Sequence, residues 1–143
     1  MTAPDKQHLV VIGNGMAGAR AVEEILERAG GVQFRITMFG DEPYGNYNRI
    51  MLSHVLAGED SEEIYLNPLD WYAENEITLH AGVRVVRVDR FSKKVYGNDG
   101  TIESYDKLII ATGSRTFYPP MDGMWVDDKT LTNPVDRFLE QAR

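Results

Sequence analysis

The chain opens on a short apolar run followed by an amphipathic segment, a pattern typical of a buried strand that leads into a helix. Leu9–Ile12 is continuously apolar, as expected of a parallel strand that is covered on both faces. From Met16 to about Arg28, apolar residues recur at helical spacing while glutamates and arginines fill the other face. Gly30–Gly31 predicts the end of this helix, and Phe34–Phe39 predicts a second strand.

The rest of the chain alternates short apolar runs with turn residues. Tyr44–Asn48 is rich in Gly, Asn and Tyr and is predicted to be irregular, whereas Ile50–Leu56 favours a short helix. Asn67–Pro68 predicts a helix through Tyr72, with Asn as the N-cap and Pro as the first helical residue. The later predicted elements are strands over Ile77–His80, Val83–Val88, Lys94–Tyr96, Thr101–Ser104 and Lys107–Ala111, and a final helix that starts at Asn133–Pro134.

These elements predict an α/β fold. A strand, a helix and a second strand in succession place the two strands side by side and parallel. The Asn98–Asp99–Gly100 turn joins two of the later strands as a hairpin. The expected architecture is therefore a Rossmann-like domain with a mostly parallel sheet and an antiparallel β-meander on one side, and the 143 residues fit a single domain.

Composition narrows the classes of function. The formal net charge is −7 and the 15 basic residues are scattered, which argues against a nucleic-acid partner. The chain has no cysteine, which excludes thiol catalysis, disulfides, iron–sulfur ligation and zinc sites of the cysteine type from these residues. The N-terminus carries no signal-peptide pattern and no apolar run approaches a membrane span, so we expect a cytoplasmic chain without a membrane partner.

The turn between the first strand and the first helix is a G-x-G-x-x-G motif, which reads Gly13, Asn14, Gly15, Met16, Ala17, Gly18. Gly13 permits the tight turn, Gly15 lets a pyrophosphate approach the backbone, and Gly18 lets the helix pack closely. The helix N-terminus then presents unpaired N–H groups and a partial positive charge to the phosphates. Strand, turn and helix occur in the required order, so the segment predicts dinucleotide binding; a glycine turn that serves packing alone is the alternative.

Two further segments carry charged groups suited to a dinucleotide. Asp41 and Glu42 follow the second strand, where a carboxylate accepts hydrogen bonds from a ribose. The last strand position is Gly40, so either acid can hold the ribose, and an acidic turn without a ligand is the alternative. Arg49 lies in an otherwise neutral segment, and its guanidinium suits a pyrophosphate because it offers two parallel donors. A surface arginine is the alternative for Arg49.

A second approach of backbone to a ligand is predicted near the end of the last strand. Leu108–Ala111 is apolar and runs into Thr112–Gly113, where glycine removes the steric bar to close contact. A plain dehydrogenase fold does not need this second glycine, which lies about a hundred residues after the first.

Together these motifs resemble the pyridine-nucleotide-disulfide oxidoreductase superfamily, and the resemblance covers nearly the whole chain. Within it, VVIGNGMAGAR and FGDEPYGNYNRIMLSHVLAGE are most similar to the FAD-binding domain of the large subunits of NAD(P)H nitrite reductases. The resemblance implies that residues 13–18 contact the FAD pyrophosphate, Asp41 or Glu42 the adenosine ribose, and Arg49 the phosphate or flavin side. It also implies that Val85 or a neighbour lines the adenine pocket and that Thr112 and Gly113 approach the cofactor from the other strand.

The resemblance sets the expected function as well. Relatives carry a second dinucleotide motif for NAD(P)H and a return segment that completes the flavin pocket, and neither is present here, so we expect a fragment that works with NAD(P)H and redox-acceptor domains. The exposed apolar surface that this leaves favours self-association. The expected function is the FAD-binding part of an NAD(P)H-dependent nitrite reductase, with no catalytic acid, base or nucleophile of its own. The alternatives are a rubredoxin- or ferredoxin-reductase component and a stand-alone nucleotide-binding module without turnover.

Overall fold

The computed structural model describes residues 6–28, 30–115 and 117, and the strand residues 125–127 and 130–131. They belong to two compact units, Met1–Gly113 and Ser114–Arg143. In the second unit, the described strands β10 (Trp125–Asp127) and β11 (Thr130–Leu131) pair antiparallel. The predicted helix at Asn133–Pro134 lies outside the described residues. No helix among the described residues is long and apolar enough to cross a membrane.

The first unit is built on a parallel sheet of four strands, in the order β5–β2–β1–β9. These strands are β1 (Gln7–Ile12), β2 (Phe34–Gly40), β5 (Ile77–Ala81) and β9 (Lys107–Ile110). Three further strands, β6 (Val85–Asp89), β7 (Lys94–Gly97) and β8 (Ile102–Ser104), form an antiparallel meander. The predicted α/β architecture of a parallel sheet and a meander is therefore confirmed.

Alternate residues of β1 belong to two different cores. Leu9 and Val11 pack in a cluster with residues of the helices, which include Val22 and Tyr72. Val10 and Ile12 belong to a cluster on the other face, together with Phe39 and with Val95 of the meander. Both faces of β1 are thus covered, which explains why its sequence is a continuous apolar run instead of an alternating one.

The helices of this unit lie between consecutive strands along the chain. They are α1 (Met16–Glu27), α2 (Gly30–Gln33), α3 (Leu52–Leu56) and α4 (Leu69–Glu74). Two 3-10 turns span Arg49–Met51 and Ser61–Ile64. Two short strands, β3 (Asn46–Tyr47) and β4 (Tyr65–Asn67), pair antiparallel beside them.

Three local predictions were wrong. Gly30–Gly31 does not end the first helix: α1 ends at Glu27, and the two glycines begin the short helix α2. The segment Tyr44–Asn48 is not wholly irregular, because two of its residues form β3. Asn67 does not cap α4: it ends β4, its side-chain amide is bonded to Asn46 and Glu23, and Pro68 takes the capping position instead.

Candidate functional site

The glycine turn is shaped by three backbone segments in direct contact. Gly13 has φ +113°, a conformation that side chains rarely adopt, and a Cβ on it would overlap the carbonyl group of Ala111. A Cβ on Gly18 would overlap the carbonyl oxygen of Gly13. The structure thus brings the turn at the end of β1, the first turn of α1 and the end of β9 together with no side chain between them.

Gly15 is different from its two neighbours in the motif. Its φ of −83° and ψ of −172° are available to any residue, and a Cβ on it would meet nothing within 4 Å. As the N-cap of α1 it offers no side-chain hydrogen bond to the helix, and the first turn contains no acidic residue. Met16 and Ala17, the first two helical residues, are exposed. The N-terminus of α1 therefore faces open space with amides that helix geometry leaves unpaired.

Asn14 connects this turn to the neighbouring elements. Its Oδ1 accepts a 2.7 Å hydrogen bond from the hydroxyl of Tyr72, and its Nδ2 donates to the backbone oxygen of Tyr44 at 3.4 Å. The Tyr72 hydroxyl in turn accepts from the buried backbone N–H of Asn46. Burial raises the pKa of Tyr72, so the hydroxyl stays a donor. These bonds hold the segment that follows β2 against the glycine turn.

One chain of amide contacts fixes the orientation of the buried asparagines beside the turn. Glu23 of α1 accepts from Nδ2 of Asn67, so Oδ1 of Asn67 is left to accept from Nδ2 of Asn46. Oδ1 of Asn46 is buried and has no hydrogen-bond partner within the described structure. The carboxylate of Glu23 thereby sets which way both amides point.

The two predicted ribose acids have different partners. Asp41 is held by Arg84 through two hydrogen bonds, from Nε at 2.9 Å and from an Nη at 2.8 Å. Glu42 accepts a 3.2 Å bond from the Tyr47 hydroxyl and a 3.0 Å bond from Nη2 of Arg49, both at Oε1. The pKa of Arg84 is raised by its bond to Asp41. Arg49, which was predicted to bind the phosphates, and Glu42, a candidate for binding the ribose, are therefore in contact with each other.

Tyr47 organises this contact. Its ring lies 5.2 Å from the guanidinium carbon of Arg49, so the two side chains are in cation–π contact. Burial, and then the bond to Glu42, raises the pKa of Tyr47 to about 12, so its hydroxyl donates to the carboxylate at neutral pH. The Asn48 side chain accepts from the Ile50 backbone N–H and starts the 3-10 turn that carries Arg49.

The remaining predicted positions lie on two other segments. Thr112 and Gly113 are exposed just beyond the contact of Ala111 with Gly13, and Gly113 has φ +69° with open space around it. Val85 is half-buried at the start of β6 and packs against the core cluster of the meander side. Its backbone lies next to Arg84, and thus close to the Asp41 pair.

Sequence reasoning missed the partners that position these groups. Tyr72, Tyr47, Arg84 and the Asn46–Asn67 pair were not predicted to matter. Their signal is weak, because each acts through a contact across 5 to 58 positions of the chain. The sequence does show glycine at position 40, the last position of β2. An added Cβ there would lie 3.0 Å from Cβ of Asn14, a tight contact, and both acids follow in the loop.

Comparisons with known proteins identify the family of the chain. Residues 7–143 match the family model described as pyridine nucleotide-disulphide oxidoreductase. The chain is 50% identical over 128 residues to nitrite reductase [NAD(P)H] of Bacillus subtilis (strain 168), covering 89% of this chain and 16% of that protein. It is 48% identical to the assimilatory nitrate reductase electron transfer subunit of the same organism, covering 82% of this chain and 15% of that protein.

The solved structures give the same fold. NADH:rubredoxin oxidoreductase from Clostridium acetobutylicum superposes with a TM-score of 0.72 at 28% identity, over 82% of this chain and 30% of that chain. The chain thus spans less than a third of each protein in these comparisons. The family implies FAD as cofactor, and the open N-terminus of α1 beside Gly15 fits its pyrophosphate. With its motif, fold and family match in agreement, the chain belongs to the pyridine nucleotide-disulphide oxidoreductases.

Proposed function

We propose that this chain is the FAD-binding portion of an NAD(P)H-dependent oxidoreductase, and specifically of a nitrite reductase. The observation that carries the proposal is the contrast within the motif. Gly13 and Gly18 are glycines because the protein itself leaves no room for a side chain, whereas Gly15 has room and an ordinary backbone conformation. Nothing in the protein requires glycine at position 15, but a ligand that lies against its backbone would require it.

The proposal assigns each predicted group a task. The backbone from Gly13 to Gly18 binds the pyrophosphate, and Arg49 adds a cation to it. Glu42 accepts from the adenosine ribose, since Asp41 is held by both donors of the Arg84 fork. Thr112 and Gly113 approach the cofactor from the end of β9. Either Val85 or the adjoining backbone of residues 83–84 borders the adenine.

The chemistry in this proposal is that of the cofactor. Residues 13–18, Glu42 and Arg49 would hold FAD, which would supply the capacity for hydride transfer from NAD(P)H and for single-electron transfer to a metal centre. The residues of this chain bind the cofactor, orient it and exclude water from one side of it. NAD(P)H and the acceptor are bound by other domains of the intact enzyme, a view that the length of the relatives supports.

The test is Gly15→Val in the full-length protein. Valine at this position should leave the fold intact and remove FAD, because its branched side chain takes the place of the pyrophosphate. The ratio of flavin absorbance to protein absorbance after gel filtration measures occupancy. Urea unfolding of the flavin-stripped protein measures the fold separately, because bound ligand would otherwise add to stability.

Two further variants act as controls. Gly31→Val makes the same change in α2, where a Cβ has only an ordinary contact with Leu26, and it should keep FAD. Gly18→Ala should damage the fold itself, because its Cβ overlaps the Gly13 carbonyl oxygen. Normal flavin content in Gly15→Val would show that the open face is not the FAD site and would contradict the proposal.

The electron acceptor needs an experiment of its own. The similarity to nitrite reductase [NAD(P)H] of Bacillus subtilis supports nitrite as the electron acceptor. The fold shared with NADH:rubredoxin oxidoreductase makes a rubredoxin or ferredoxin the second candidate acceptor. The full-length protein should oxidise NAD(P)H when nitrite is added and should not do so with a purified rubredoxin or ferredoxin. The reverse outcome would replace the first candidate by the second.

The contact surface for partner domains is proposed on the meander side. A mostly apolar cavity of about 500 Å³ lies between β6, the turn after it and β9. Phe91 is 89% exposed and Ile110 is 64% exposed beside it. We propose that a further domain of the enzyme covers this apolar surface, because the chain spans less than a third of each relative. Small-angle scattering of the full-length protein should then show a monomer, and a dimer would contradict this choice of occupant.

A further inference from the structure

We propose that the Glu42–Arg49 ion pair is a selectivity device, which makes the site favour ligands that carry both a ribose and a pyrophosphate over bare phosphate anions. This inference rests on the proposed FAD site. It concerns how the contact between Glu42 and Arg49 makes that site discriminate between ligands.

The device starts from one oxygen atom. Oε1 of Glu42 accepts from Nη2 of Arg49 at 3.0 Å and from the Tyr47 hydroxyl at 3.2 Å. Arg49 also stacks on the ring of Tyr47. The anion-binding group Arg49 thus already contacts an anion, the carboxylate that is assigned to the ribose.

A ligand can separate the Glu42–Arg49 pair at little cost. The Arg49 side chain is 54% exposed and that of Glu42 is 34% exposed, so water competes for both groups and the pair is weak. Tyr47 remains bonded to Glu42 whichever partner Arg49 has, because its pKa of about 12 keeps the hydroxyl protonated. A ligand can therefore separate the two charges without unfolding the loop.

The cost of opening depends on what the ligand offers. Inorganic pyrophosphate attracts Arg49 but leaves the Glu42 carboxylate without its cation and near a second anion, which is unfavourable. Adenosine offers a diol to Glu42 but leaves Arg49 without an anion. A nucleoside diphosphate supplies the diol and the phosphates together, so only this class of ligand satisfies both side chains at once.

The neighbouring acid does not share this role. Asp41 is bound by both arms of the Arg84 fork, and a Cβ at position 40 would lie 3.0 Å from the Cβ of Asn14. Glu42 is thus the acid in this loop that neutralises Arg49 in the described structure. Asp41 differs from Glu42 in partner but carries the same charge, so it serves as the charge-matched comparison.

The experiment uses the full-length protein stripped of flavin, with inorganic pyrophosphate, adenosine and ADP as competitors of FAD rebinding. In Glu42→Gln, pyrophosphate should compete about two- to fivefold better than in the wild type, because Arg49 is released from an exposed ion pair. In Arg49→Ala, pyrophosphate should compete less well and adenosine better. Asp41→Asn should change pyrophosphate competition by less than about twofold, because it removes a nearby charge without releasing Arg49.

The outcomes separate this inference from the function on which it rests. Equal gains for pyrophosphate in Glu42→Gln and Asp41→Asn would mean a general charge effect and would overturn the device while leaving the FAD site in place. A wild-type protein whose FAD rebinding is not hindered by ADP would instead contradict the proposed site. Thermal unfolding of the flavin-stripped variants, expected to match the wild type, excludes loss of fold as the cause of any change.

Discussion

Asn14 and Gly40 share one space: a Cβ added to Gly40 would lie 3.0 Å from the Cβ of Asn14. That separation is tighter than almost all contacts of real Cβ atoms, so a side chain at the end of β2 and an asparagine in the glycine turn oppose each other. The loop beyond β2 therefore carries the carboxylates that this end of the sheet contributes.

Gly40→Ala should destabilise the flavin-stripped protein by about 1 to 2 kcal/mol, the usual scale for an overpacked methyl group. In an Asn14→Gly background the same change should cost less, because the opposing Cβ is gone. Urea unfolding of the four proteins of this double-mutant cycle measures the coupling. Equal costs in both backgrounds would show that Asn14 is not the obstacle.

Tyr72→Phe should cost about 1 to 3 kcal/mol of stability, because it leaves the buried backbone N–H of Asn46 without an acceptor. Asn14→Ala breaks the other bond of the same hydroxyl but at a half-exposed site, so it should cost less. Chemical denaturation ranks the two variants. The opposite ranking would show that the Tyr72 hydroxyl stabilises the protein mainly through its bond to Asn14 and not through its bond to Asn46.

Asn67→Asp should be strongly destabilising, by about 2 to 4 kcal/mol, since it puts a buried carboxylate against that of Glu23. The pKa of the new carboxyl would be raised, so stability should recover on acidification as the group binds its proton. Glu23→Gln in the same chain should remove most of the penalty at neutral pH. Denaturation curves at two pH values test both statements, and a penalty that survives Glu23→Gln would contradict them.

His8 should make stability depend on pH. It is 4% exposed in β1, its Nε2 contacts the Thr37 hydroxyl at 2.8 Å, and Nδ1 must accept from Arg35 because a guanidinium only donates. Burial, and then the Arg35 charge, lowers the pKa of His8, while Glu103 and Asp106 oppose the shift. The unfolded chain therefore binds a proton near pH 6.5 that the folded chain refuses.

Stability from this group is complete above pH 6.5 and is lost as the pH falls toward the folded pKa, with a slope of at most about 1.4 kcal/mol per pH unit. Unfolding free energies between pH 5 and 8 should show this slope in the wild type and a flatter curve in His8→Gln. Thr37→Val keeps the buried imidazole and Arg35, so it should lower stability but retain the slope. A His8→Gln curve parallel to the wild type would exclude His8 as the source.

The parallel sheet, the meander and the glycine turn could be predicted from the sequence, because they follow from its local pattern of apolar residues and glycines. Leu9–Ile12 is apolar because both of its faces are buried, Leu108 and Ile109 of β9 pack against the two different core clusters, and the motif glycines occur where one strand passes into a helix. Neither β3 nor the start of α4 could be predicted from the sequence, because both depend on the hydrogen bond between Asn46 and Asn67, which lie 21 positions apart. The sequence also could not show that Asp41 and Glu42 have different partners, since Arg84 lies 43 positions from the acid that it holds.

The backbone contact of Gly13 with Ala111 has a consequence for synthesis. β1 gains its β9 neighbour, and the turn gains its contact with Ala111, only when β9 has been synthesised and a loop of about a hundred residues has closed. A ribosome adds about 5 to 20 residues per second, so a nascent chain spends several seconds with the motif emerged but unsupported. Nucleotide binding at this turn therefore has to wait for β9, and truncated nascent chains that end before residue 111 should not bind the nucleotide.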